Sequence, residues 1–363
     1  MNNRMTGAEL LDSGKRFAVT MWEYSWLVQR SGSQNEYADW EKVLDELVER
    51  GYECIRIDAF PHCASKGPDG KIKEETTFLP VPKNFMWGNH EKVTVNPREG
   101  LVEFMKKAKD RGLYIGLSSW YNDDEEHRKF LVKSPRDYSR IWIETLDLLN
   151  GEGLLDIVVW VDLCNEFPFP SWSPVPFKDI TGADPDNYLG SILALSTNWK
   201  EKSLRRAGEY YRAIKVVKDK YPTLKYTFSC QAVGEKNIRR ADTTCFDLAE
   251  PHIWSVDNLY WNIRSEHIRI NNGKYPDALI KHVLKAMKLY PKYKEKIYSI
   301  LDQRTSLWAD WAAKKKLPLV TSEAWASIQY EDITQCGLGG EWDWLKEVAE
   351  MGVRCAVKKG WRG

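Results

Sequence analysis

Two glutamates stand where short apolar segments of the sequence end. Glu166 closes the segment LDIVVWVDLCNE, and Glu323 directly follows PLVTS. Both segments are short and rich in β-branched residues, so each predicts a buried strand with a glutamate at its carboxyl end. Two carboxyl groups facing one another across a pocket can cleave a glycosidic bond, since one protonates the departing oxygen while the other attacks or stabilises the sugar cation. The two residues are therefore candidates for this chemistry if their strands end at the same edge of a sheet.

Other ionisable side chains near predicted strand ends leave a second kind of chemistry open. They are Glu23, Asp58, His62, Asp162 and Glu250. Carboxylates and a histidine at strand ends also build the centres of metal-dependent isomerases and hydrolases. Because the sequence has no H-x-H or H-E-x-x-H spacing, we expect neither a metal ion nor another cofactor, and a metal-dependent barrel enzyme remains as an alternative.

The elements that must position these residues alternate between short apolar runs and amphipathic stretches. This alternation predicts parallel βα units. Two helices end on a glycine that leads straight into a strand, in the segments ERGYECIRI and DRGLYIGL. Strands are predicted over 16–21, 53–58, 113–118, 155–163, 224–229, 246–250 and 318–322. Helices are predicted over 37–50, 97–111, 135–150, 201–221, 236–241, 276–316 with a break near Pro291, and 342–359.

Seven such units in 363 residues predict an α/β fold, the (β/α)8 TIM barrel, which often forms one unusually long domain. We expect a single catalytic domain over residues 1–363, since no Gly/Ser linker and no fixed-period repeat divides the chain. Its long loops, 60–96, 167–199 and 252–275, follow predicted strand ends, where a barrel carries its functional residues. A doubly wound open sheet is the alternative, but WEYSW follows the first strand in place of a G-x-G-x-x-G turn.

The eighth strand of such a barrel is not present in full among the predicted elements. The last predicted helix ends in KKG at 358–360, which repeats the arrangement of helix and glycine that twice introduces a strand. The residues WRG at 361–363 then match the start of a strand. A barrel without this strand would leave two unpaired edges. We therefore expect the barrel to be truncated before or within strand 8, with the natural chain continuing for at least one more βα unit.

The composition argues against several classes of protein. Lys and Arg total 53 against 52 Asp and Glu, a net charge of +1, which offers no basic surface for nucleic acid. No segment reaches the roughly 20 apolar residues of a membrane span. Residues 1–16 lack the apolar core of a signal peptide. The 7 cysteines are scattered without a CxxC pair, so we expect reduced thiols and a cytoplasmic protein.

Tryptophan is abundant, with 17 residues, and four of them follow predicted strand ends. An indole offers a flat apolar face for sugar C–H groups together with an N–H donor. The expected partner is therefore a carbohydrate, and a non-hydrolytic sugar-binding barrel protein is the alternative to an enzyme. The tryptophans expected to form the walls of the sugar site are Trp22, Trp120, Trp254 and Trp325.

The strand-end residues also resemble a known group of enzymes. Asn165-Glu166 followed by Phe-Pro, with Glu323 at the seventh strand end, resembles clan A of the glycoside hydrolases. The segments FAVTMWEYSW, RIDAFPH and DLCNEFP resemble bacterial proteins described as cellulase-like. The resemblance implies a (β/α)8 enzyme that hydrolyses β-glycosidic bonds of oligosaccharides or small glycosides with retention. It implies Glu166 as the general acid/base, Glu323 as the nucleophile and Asn165 as the ligand of the sugar 2-hydroxyl.

Two further positions take their roles from the same resemblance. Cellulase-type members carry an arginine in strand two that hydrogen-bonds the nucleophile, and Arg56 occupies that place. They also have a histidine two residues before an aromatic after strand six, which His252 and Trp254 match. The chain departs from the pattern at strand three, where many members have a histidine and residues 118–120 are SSW. This departure leaves the identity of the sugar undetermined.

Overall fold

The computed structural model describes residues 4–81, 87–254, 277–325 and 342–363 of the chain. Most of the described strands are parallel, and a short antiparallel hairpin lies in the first long loop. In chain order the strands are β1 (Val19–Glu23), β2 (Cys54–Asp58), β3 (Thr76–Phe78), β4 (Val93–Val95), β5 (Tyr114–Ser118), β6 (Val158–Asp162), β7 (Tyr226–Thr227), β8 (Ile253–Trp254) and β9 (Ala324–Trp325).

Five strands form a sheet in the order β1-β2-β5-β6-β7, and each neighbouring pair is parallel. Parallel contacts continue beyond β7, where Cys230 pairs with Pro251, Ala249 pairs with Leu319, and β8 pairs with β9. The strand segments therefore follow one another around seven successive positions, in the order of the chain.

The last three residues occupy the eighth position, between the first and the seventh strand segments. The Arg362 carbonyl accepts a hydrogen bond from Phe17 N–H (2.9 Å), and Arg362 N–H donates to the Leu319 carbonyl (2.7 Å). The Gly363 carbonyl accepts from Thr321 N–H (3.0 Å). Beside these contacts, β1 and β9 flank a cavity of about 750 Å³. The parallel segments thus form the predicted barrel, and the expected continuation of strand 8 stays a prediction.

Helices connect the successive strands. In chain order they are α1 (Gly7–Asp12), α2 (Ser25–Val28), α3 (Trp40–Glu49), α4 (Pro61–Ala64), α5 (Pro97–Asp110), α6 (Pro135–Gly151), α7 (Pro174–Thr181), α8 (Tyr188–Ser196), α9 (Glu201–Tyr211), α10 (Ala213–Lys220), α11 (Glu235–Ile238), α12 (Asp277–Lys315) and α13 (Asp343–Lys358).

Two helices differ from the prediction. The single helix predicted over 201–221 is divided at Arg212 into α9 and α10. Helix α12 runs through Pro291 without the predicted break. Next to that proline, Tyr290 donates a hydrogen bond to Glu347 (2.6 Å) and packs against Trp344, both on α13. These contacts hold α12 along α13 and offset the backbone hydrogen bond that a proline removes.

Side-chain caps and glycines set the ends of the central helices. Asp39, Asn96 and Ser134 each accept a hydrogen bond from a backbone N–H of the first helical turn. Gly51 and Gly112 follow α3 and α5 with φ of +81° and +72°, a conformation that side chains rarely adopt. The chain then turns at once into β2 and β5, as the two repeated segments of the sequence predict.

The barrel core lies between these helices and the strands. Every residue of β2, β5 and β6 is buried, as expected for parallel strands covered on both faces. Trp40, Leu44 and Leu47 on α3 pack in the same cluster as Ile55 and Ile57 of β2. Burial of each such side chain contributes on the order of 2 kcal/mol to stability.

The three long loops differ in content. Loop 60–96 holds α4 and the β3–β4 hairpin, and loop 167–199 holds α7 and α8. Most of loop 252–275 lies outside the described residues. Within the described ranges, no helix combines the length and the apolar character needed to cross a membrane.

Candidate active site

Glu166 and Glu323 lie at the same edge of the barrel. Glu166 comes shortly after β6, and Glu323 immediately precedes β9. A carboxylate oxygen of one lies within 4.8 Å of a carboxylate oxygen of the other. Their side chains are largely buried, with relative exposures of 14% for Glu166 and 7% for Glu323. The structure thus brings the two predicted catalytic carboxyl groups together.

Arg56 lies in the middle of β2, and its buried guanidinium connects several strands. Its Nη1 donates a hydrogen bond to Glu323 Oε1 (2.7 Å). Its Nη2 donates to Asp162 Oδ2 (2.6 Å) and to Asn165 Oδ1 (2.7 Å), while Nε lies 3.0 Å from Glu250 Oε1. A guanidinium is planar and permanently charged, so Arg56 fixes the orientation of the Glu323 carboxylate.

The chain after β6 turns sharply at Asn165 and Glu166. Glu166 has a left-handed backbone conformation with φ of 49°, which is uncommon for a residue with a β-carbon and is often found at functional sites. The turn is held by two hydrogen bonds, from Asn165 N–H to the Ser119 carbonyl (2.9 Å) and from Glu166 N–H to Ser229 Oγ (2.8 Å). Because Arg56 binds the amide oxygen of Asn165, the amide NH2 group is the part that can donate to a ligand.

His252 lies between the two glutamates. Its Nδ1 is 2.9 Å from Glu166 Oε1 and 3.3 Å from Glu323 Oε2. Its Nε2 is buried without a hydrogen-bond partner among the described residues, so the tautomer with the proton on Nδ1 fits the site. Burial lowers the pKa of His252 to about 4, although the charge of Glu323 opposes this. The ring is therefore neutral at pH 7 and donates one hydrogen bond to the carboxylate pair.

Opposing influences set the ionisation of Glu323. Burial raises the pKa of its carboxyl above the ordinary value, and the negative charge of Glu166 adds to this rise. His252 and the Arg56 guanidinium act in the other direction. A carboxylate nucleophile must be ionised, so the contact with Arg56 favours the reactive form of Glu323.

Two of the four predicted wall tryptophans lie beside Glu323. Trp254 and Trp325 line the cavity of about 750 Å³, together with Glu323 itself. Trp87, which lies in the first long loop and is not among the predicted site residues, lines the same cavity. Its only sequence signal is its place in a loop that follows a strand end.

The other two predicted wall tryptophans have different surroundings. Trp120 is fully buried, and the guanidinium carbon of Arg56 lies 4.4 Å from its ring centroid. Trp22 packs edge-on against Tyr37 and Phe104, at centroid distances of 5.2 and 6.0 Å. Trp120 therefore supports the arginine, and Trp22 belongs to the packing between the strands and the helices.

The end of β1 brings a further acidic group towards the site. The pairing of β1 with β2 shifts between Met21 and Glu23, and Glu23 has a φ of 27°. A bulge of this kind re-aims a side chain and is common next to active sites. Burial raises the pKa of Glu23 well above its ordinary value, and the charges of Glu323 and Asp58 add to the rise. The protonated form of this carboxyl is therefore favoured.

Four polar side chains in contact with Arg56 are not among the predicted site residues: Asp162, Glu250, Ser229, and Ser118, whose Oγ lies 2.9 Å from Arg56 Nη2 at the end of the third predicted strand. Asp162 and Glu250 have a sequence signal, since both stand at predicted strand ends, but nothing in the sequence distinguishes them from solvated rim residues. Ser229, whose Oγ is 3.3 Å from Arg56 Nη2, has no comparable signal. These residues show that the site extends from the barrel edge into its interior.

Two groups of side chains have the composition of metal ligands. In each group one ligand atom per residue lies within 4.8 Å of the others. The first group consists of His62, Cys63 and Asp124, and the second of Glu166, His252 and Glu323. In the first group Arg128 Nε lies 3.1 Å from Asp124, and its fixed positive charge disfavours a cation. In the second group His252 Nδ1 satisfies the two glutamates without a metal.

This chain is similar to a protein family described as sugar-binding and to solved structures described as glycosidases. The sugar-binding cellulase-like family matches this chain over residues 19–363. A candidate glycoside hydrolase from Parabacteroides distasonis is 31% identical, over 96% of this chain and 86% of that one, with a TM-score of 0.78. An endo-1,4-β-D-mannanase from Thermotoga petrophila is 11% identical, over 96% and 87% of the two chains, with a TM-score of 0.50, and shares the fold alone.

No curated protein matches the sequence. The family match nevertheless spans nearly the whole chain, and the solved structure at 31% identity covers almost all of it. The fold is a (β/α)8 barrel, and the chain belongs to the sugar-binding cellulase-like family.

Proposed function

We propose that this chain is one catalytic barrel domain that cleaves β-glycosidic bonds of oligosaccharides or small glycosides with retention of configuration. The observation that carries the proposal is the approach of the Glu166 and Glu323 carboxylate oxygens to within 4.8 Å. Retaining enzymes hold their carboxyl groups about 5 to 5.5 Å apart, whereas inverting enzymes leave roughly 6.5 to 9.5 Å for a water molecule. The short separation supports direct attack by a carboxylate.

In the first step Glu323 attacks the anomeric carbon while Glu166 protonates the leaving oxygen. Arg56 holds Glu323 Oε1, so Oε2 is the attacking atom. His252 Nδ1 donates to Glu166 Oε1, so the proton to be transferred is carried on Oε2 of Glu166. The amide NH2 of Asn165 binds the sugar hydroxyl next to the anomeric carbon. The products of this step are a glycosyl ester on Glu323 and the free alcohol of the leaving group.

In the second step water cleaves the glycosyl ester. The ionised Glu166 takes a proton from the water, whose oxygen bonds to the anomeric carbon as the bond to Glu323 breaks. Glu323 regains its negative charge next to Arg56, and Glu166 is protonated again. Two inversions at the same carbon return the sugar with its original configuration.

The cavity beside Glu323 supports a carbohydrate as the substrate. Trp87, Trp254 and Trp325 line it together with Glu323, and the cavity also extends along β1 to Arg16 and Arg50. Indole rings cover the C–H faces of a sugar while polar groups bind its hydroxyls. We also place the protein in the reducing environment of the cytoplasm, because the six described free cysteines are all buried.

Turnover of a panel of aryl β-glycosides tests the proposal. We expect release of the aryl alcohol with retention, observed as the first-formed anomer by NMR. Glu323→Ala should lower kcat by about 10²-fold to 10⁴-fold or more. Glu166→Ala should slow substrates with poor leaving groups most, and azide should rescue it by forming a glycosyl azide. Glu350→Ala, at an exposed glutamate paired with Arg354, is the matched control and should leave kcat unchanged.

Inversion of configuration would contradict this mechanism.

A second candidate function, sugar binding without hydrolysis, is favoured by the description of the family as sugar-binding. It predicts calorimetric binding of glycosides to the wild type and to Glu323→Ala, with no turnover by either. A metal-dependent reaction predicts loss of activity on treatment with EDTA and recovery with zinc, whereas the proposed mechanism predicts no effect of the chelator.

A further inference from the structure

Glu250 is a buried carboxyl group in contact with Arg56 that the proposed mechanism does not use. It is 2% exposed and lies shortly before β8. Its Oε1 is 3.0 Å from Arg56 Nε and 2.6 Å from Ser322 Oγ. Its Oε2 accepts a hydrogen bond from Trp160 Nε1 (2.7 Å). The carboxyl is thus fully enclosed by polar partners inside the ring of strands.

Arg56 carries one positive charge for three carboxyl groups. Asp162, Glu250 and Glu323 each have an oxygen within 3.0 Å of one of its nitrogens, and their side chains are at most 7% exposed. Within the described residues, no lysine and no other arginine forms an ion pair with these three groups. Three ionised carboxylates here would leave two buried negative charges uncompensated. At least one of the three therefore holds a proton.

The hydrogen bonds distinguish the three groups. Asp162 accepts from Ser229 N–H (2.8 Å), from Cys164 N–H (3.3 Å) and from Arg56, and it also contacts the Ser118 hydroxyl (2.7 Å). The N–H groups can only donate, and Ser118 Oγ accepts from Arg56 Nη2 (2.9 Å), so its own proton is directed to Asp162. This set of donors suits an ionised carboxylate. Glu323 must be ionised to attack a sugar, a requirement that rests on the proposed function. Both groups are therefore assigned as carboxylates.

The hydroxyl partner of Glu250 is Ser322, which, unlike Ser118 beside Asp162, accepts no hydrogen bond from Arg56. The Ser322 hydroxyl can accept as well as donate a hydrogen bond, at 2.6 Å from Oε1. Arg56 Nε lies 3.0 Å from the same oxygen yet has no hydrogen-bond partner among the described residues, because its N–H is not directed at that oxygen. A proton on Oε1 that is donated to Ser322 accounts for both observations.

We propose that Glu250 is a positioning residue that keeps a proton, donated to Ser322, and so leaves the charge of Arg56 to Glu323 and Asp162. The protonation is independent of the proposed function, and only the effect on Glu323 rests on it. When Glu250 ionises, it competes for Arg56 and weakens the hold on the nucleophile.

The surroundings of Glu250 support this assignment. Burial raises the pKa of Glu250 to about 8, and the charge of Arg56 opposes the rise without cancelling it. The other ionisable groups that face it are Asp162 on β6 and Cys54 on β2. Asp162 favours the proton on Glu250 through its negative charge. Burial raises the pKa of the Cys54 thiol, so this group is neutral and adds no charge.

Difference infrared spectroscopy of the wild type against Glu250→Gln tests the proton directly. We expect the carbonyl stretch of a buried, protonated carboxyl in the wild type at mildly acidic pH, its absence in the variant, and its loss from the wild type as the pH rises through about 8. Ser322→Ala should keep the band and move its frequency, because the accepting hydroxyl is gone. Glu350→Gln, at an exposed position, should leave it unchanged. A difference spectrum of wild type minus Glu250→Gln without this band would overturn the proposal.

The pH dependence of stability is a second readout that needs no turnover. When the pKa of a carboxyl is raised in the folded state, the protein loses stability as the pH rises from the pKa in the unfolded state, about 4.3, to the pKa in the folded state, about 8. In this window the unfolding equilibrium constant of the wild type should rise by up to about tenfold per pH unit relative to Glu250→Gln. An ionised Glu250 paired with Arg56 would give no such loss in this window, because the group would then be ionised in both the folded and the unfolded state, and stability would be gained only as the pH rises towards about 4.3.

Kinetics test the effect on the nucleophile. The ratio of kcat/KM for Glu250→Gln to that for the wild type should increase from neutral pH to about pH 9, because only the wild type has a group that ionises near pH 8 and competes for Arg56. A ratio that does not change with pH would overturn the positioning role. Absence of wild-type turnover, with the infrared band present, would contradict the proposed glycosidase function and leave the protonation of Glu250 supported.

Discussion

Replacing Arg56 is expected to destabilise the fold, because this buried side chain donates to Glu323, Asp162 and Asn165 at once. A lysine keeps the charge but has a single nitrogen, so it reaches only some of these acceptors. Each lost hydrogen bond to a charged group costs roughly 1.5 to 3 kcal/mol. We therefore expect Arg56→Lys to lower the free energy of unfolding by about 3 kcal/mol. Arg56→Met, which leaves buried carboxylates without a cation, should cost about 5 kcal/mol.

The same replacement should change the ionisation of Glu323. Arg56 opposes the rise in the pKa of that carboxyl, so its removal lets the pKa rise further. A nearby guanidinium typically lowers the pKa of a carboxyl by about 1 to 3 units. The acid limb of kcat/KM, which follows ionisation of the nucleophile, should move to higher pH by that amount in Arg56→Met and by less in Arg56→Lys. An effect that merely scales the rate would lower kcat/KM equally at every pH and leave the acid limb in place.

Urea titration measures the stability of these variants, and pH profiles on an aryl β-glycoside measure the ionisation. Arg354→Lys is the matched control, since Arg354 is 75% exposed and pairs with Glu350 in an i,i+4 contact on α13. We expect this control to match the wild type in both assays. If Arg56→Met were as stable as the control, or if its acid limb did not move, the assigned role of the guanidinium would be refuted.

Three other perturbations test separate parts of the structure. Gly116→Ala places a β-carbon 2.5 Å from the Trp160 ring, so the free energy of unfolding in urea should fall by about 1 to 3 kcal/mol, and an unchanged value would contradict this packing. His252→Phe removes a donor to Glu166, so kcat/KM should fall about tenfold to a hundredfold. Because burial lowers the pKa of His252 to about 4, the wild-type pH profile should show no His252-dependent step near 6.5, roughly the ordinary value. In Cys336→Ser a thiol reagent should react slowly before unfolding and fully after it, since the six other cysteines are buried; rapid labelling of the native protein would be inconsistent with their placement.

The pattern of residues at strand ends predicts which side chains lie close together, but it predicts the surroundings of these side chains less well. Parallel strands end at one edge, so Glu166 and Glu323 were expected to converge, and the resemblance added Arg56 and His252 to the same space. The structure places these four side chains within hydrogen-bond distance of at least one other member of the group. Their chemical roles stay predictions. The (β/α)8 fold was predictable because each unit carried its own helix-ending glycine or apolar strand.

The direction of individual side chains was harder to predict. Strands that are buried on both faces lack the alternation of apolar and polar residues that distinguishes inward from outward positions. Trp22 lies next to the register shift between Met21 and Glu23 and packs edge-on against Tyr37. Glu250 lies against Arg56, although its position in the sequence equally suits a solvated rim carboxylate.

The partners of Arg56 also have a consequence for how the barrel folds. Ser118, Asp162, Asn165 and Glu323 lie 62, 106, 109 and 267 residues away from it in the chain. Contacts between such distant residues form late, because large loops must close before they are made. The active site therefore assembles after most of the local helix has formed. In a refolding experiment the recovery of sugar binding should lag behind the helical circular dichroism, and activity would report on the completed arrangement of strands.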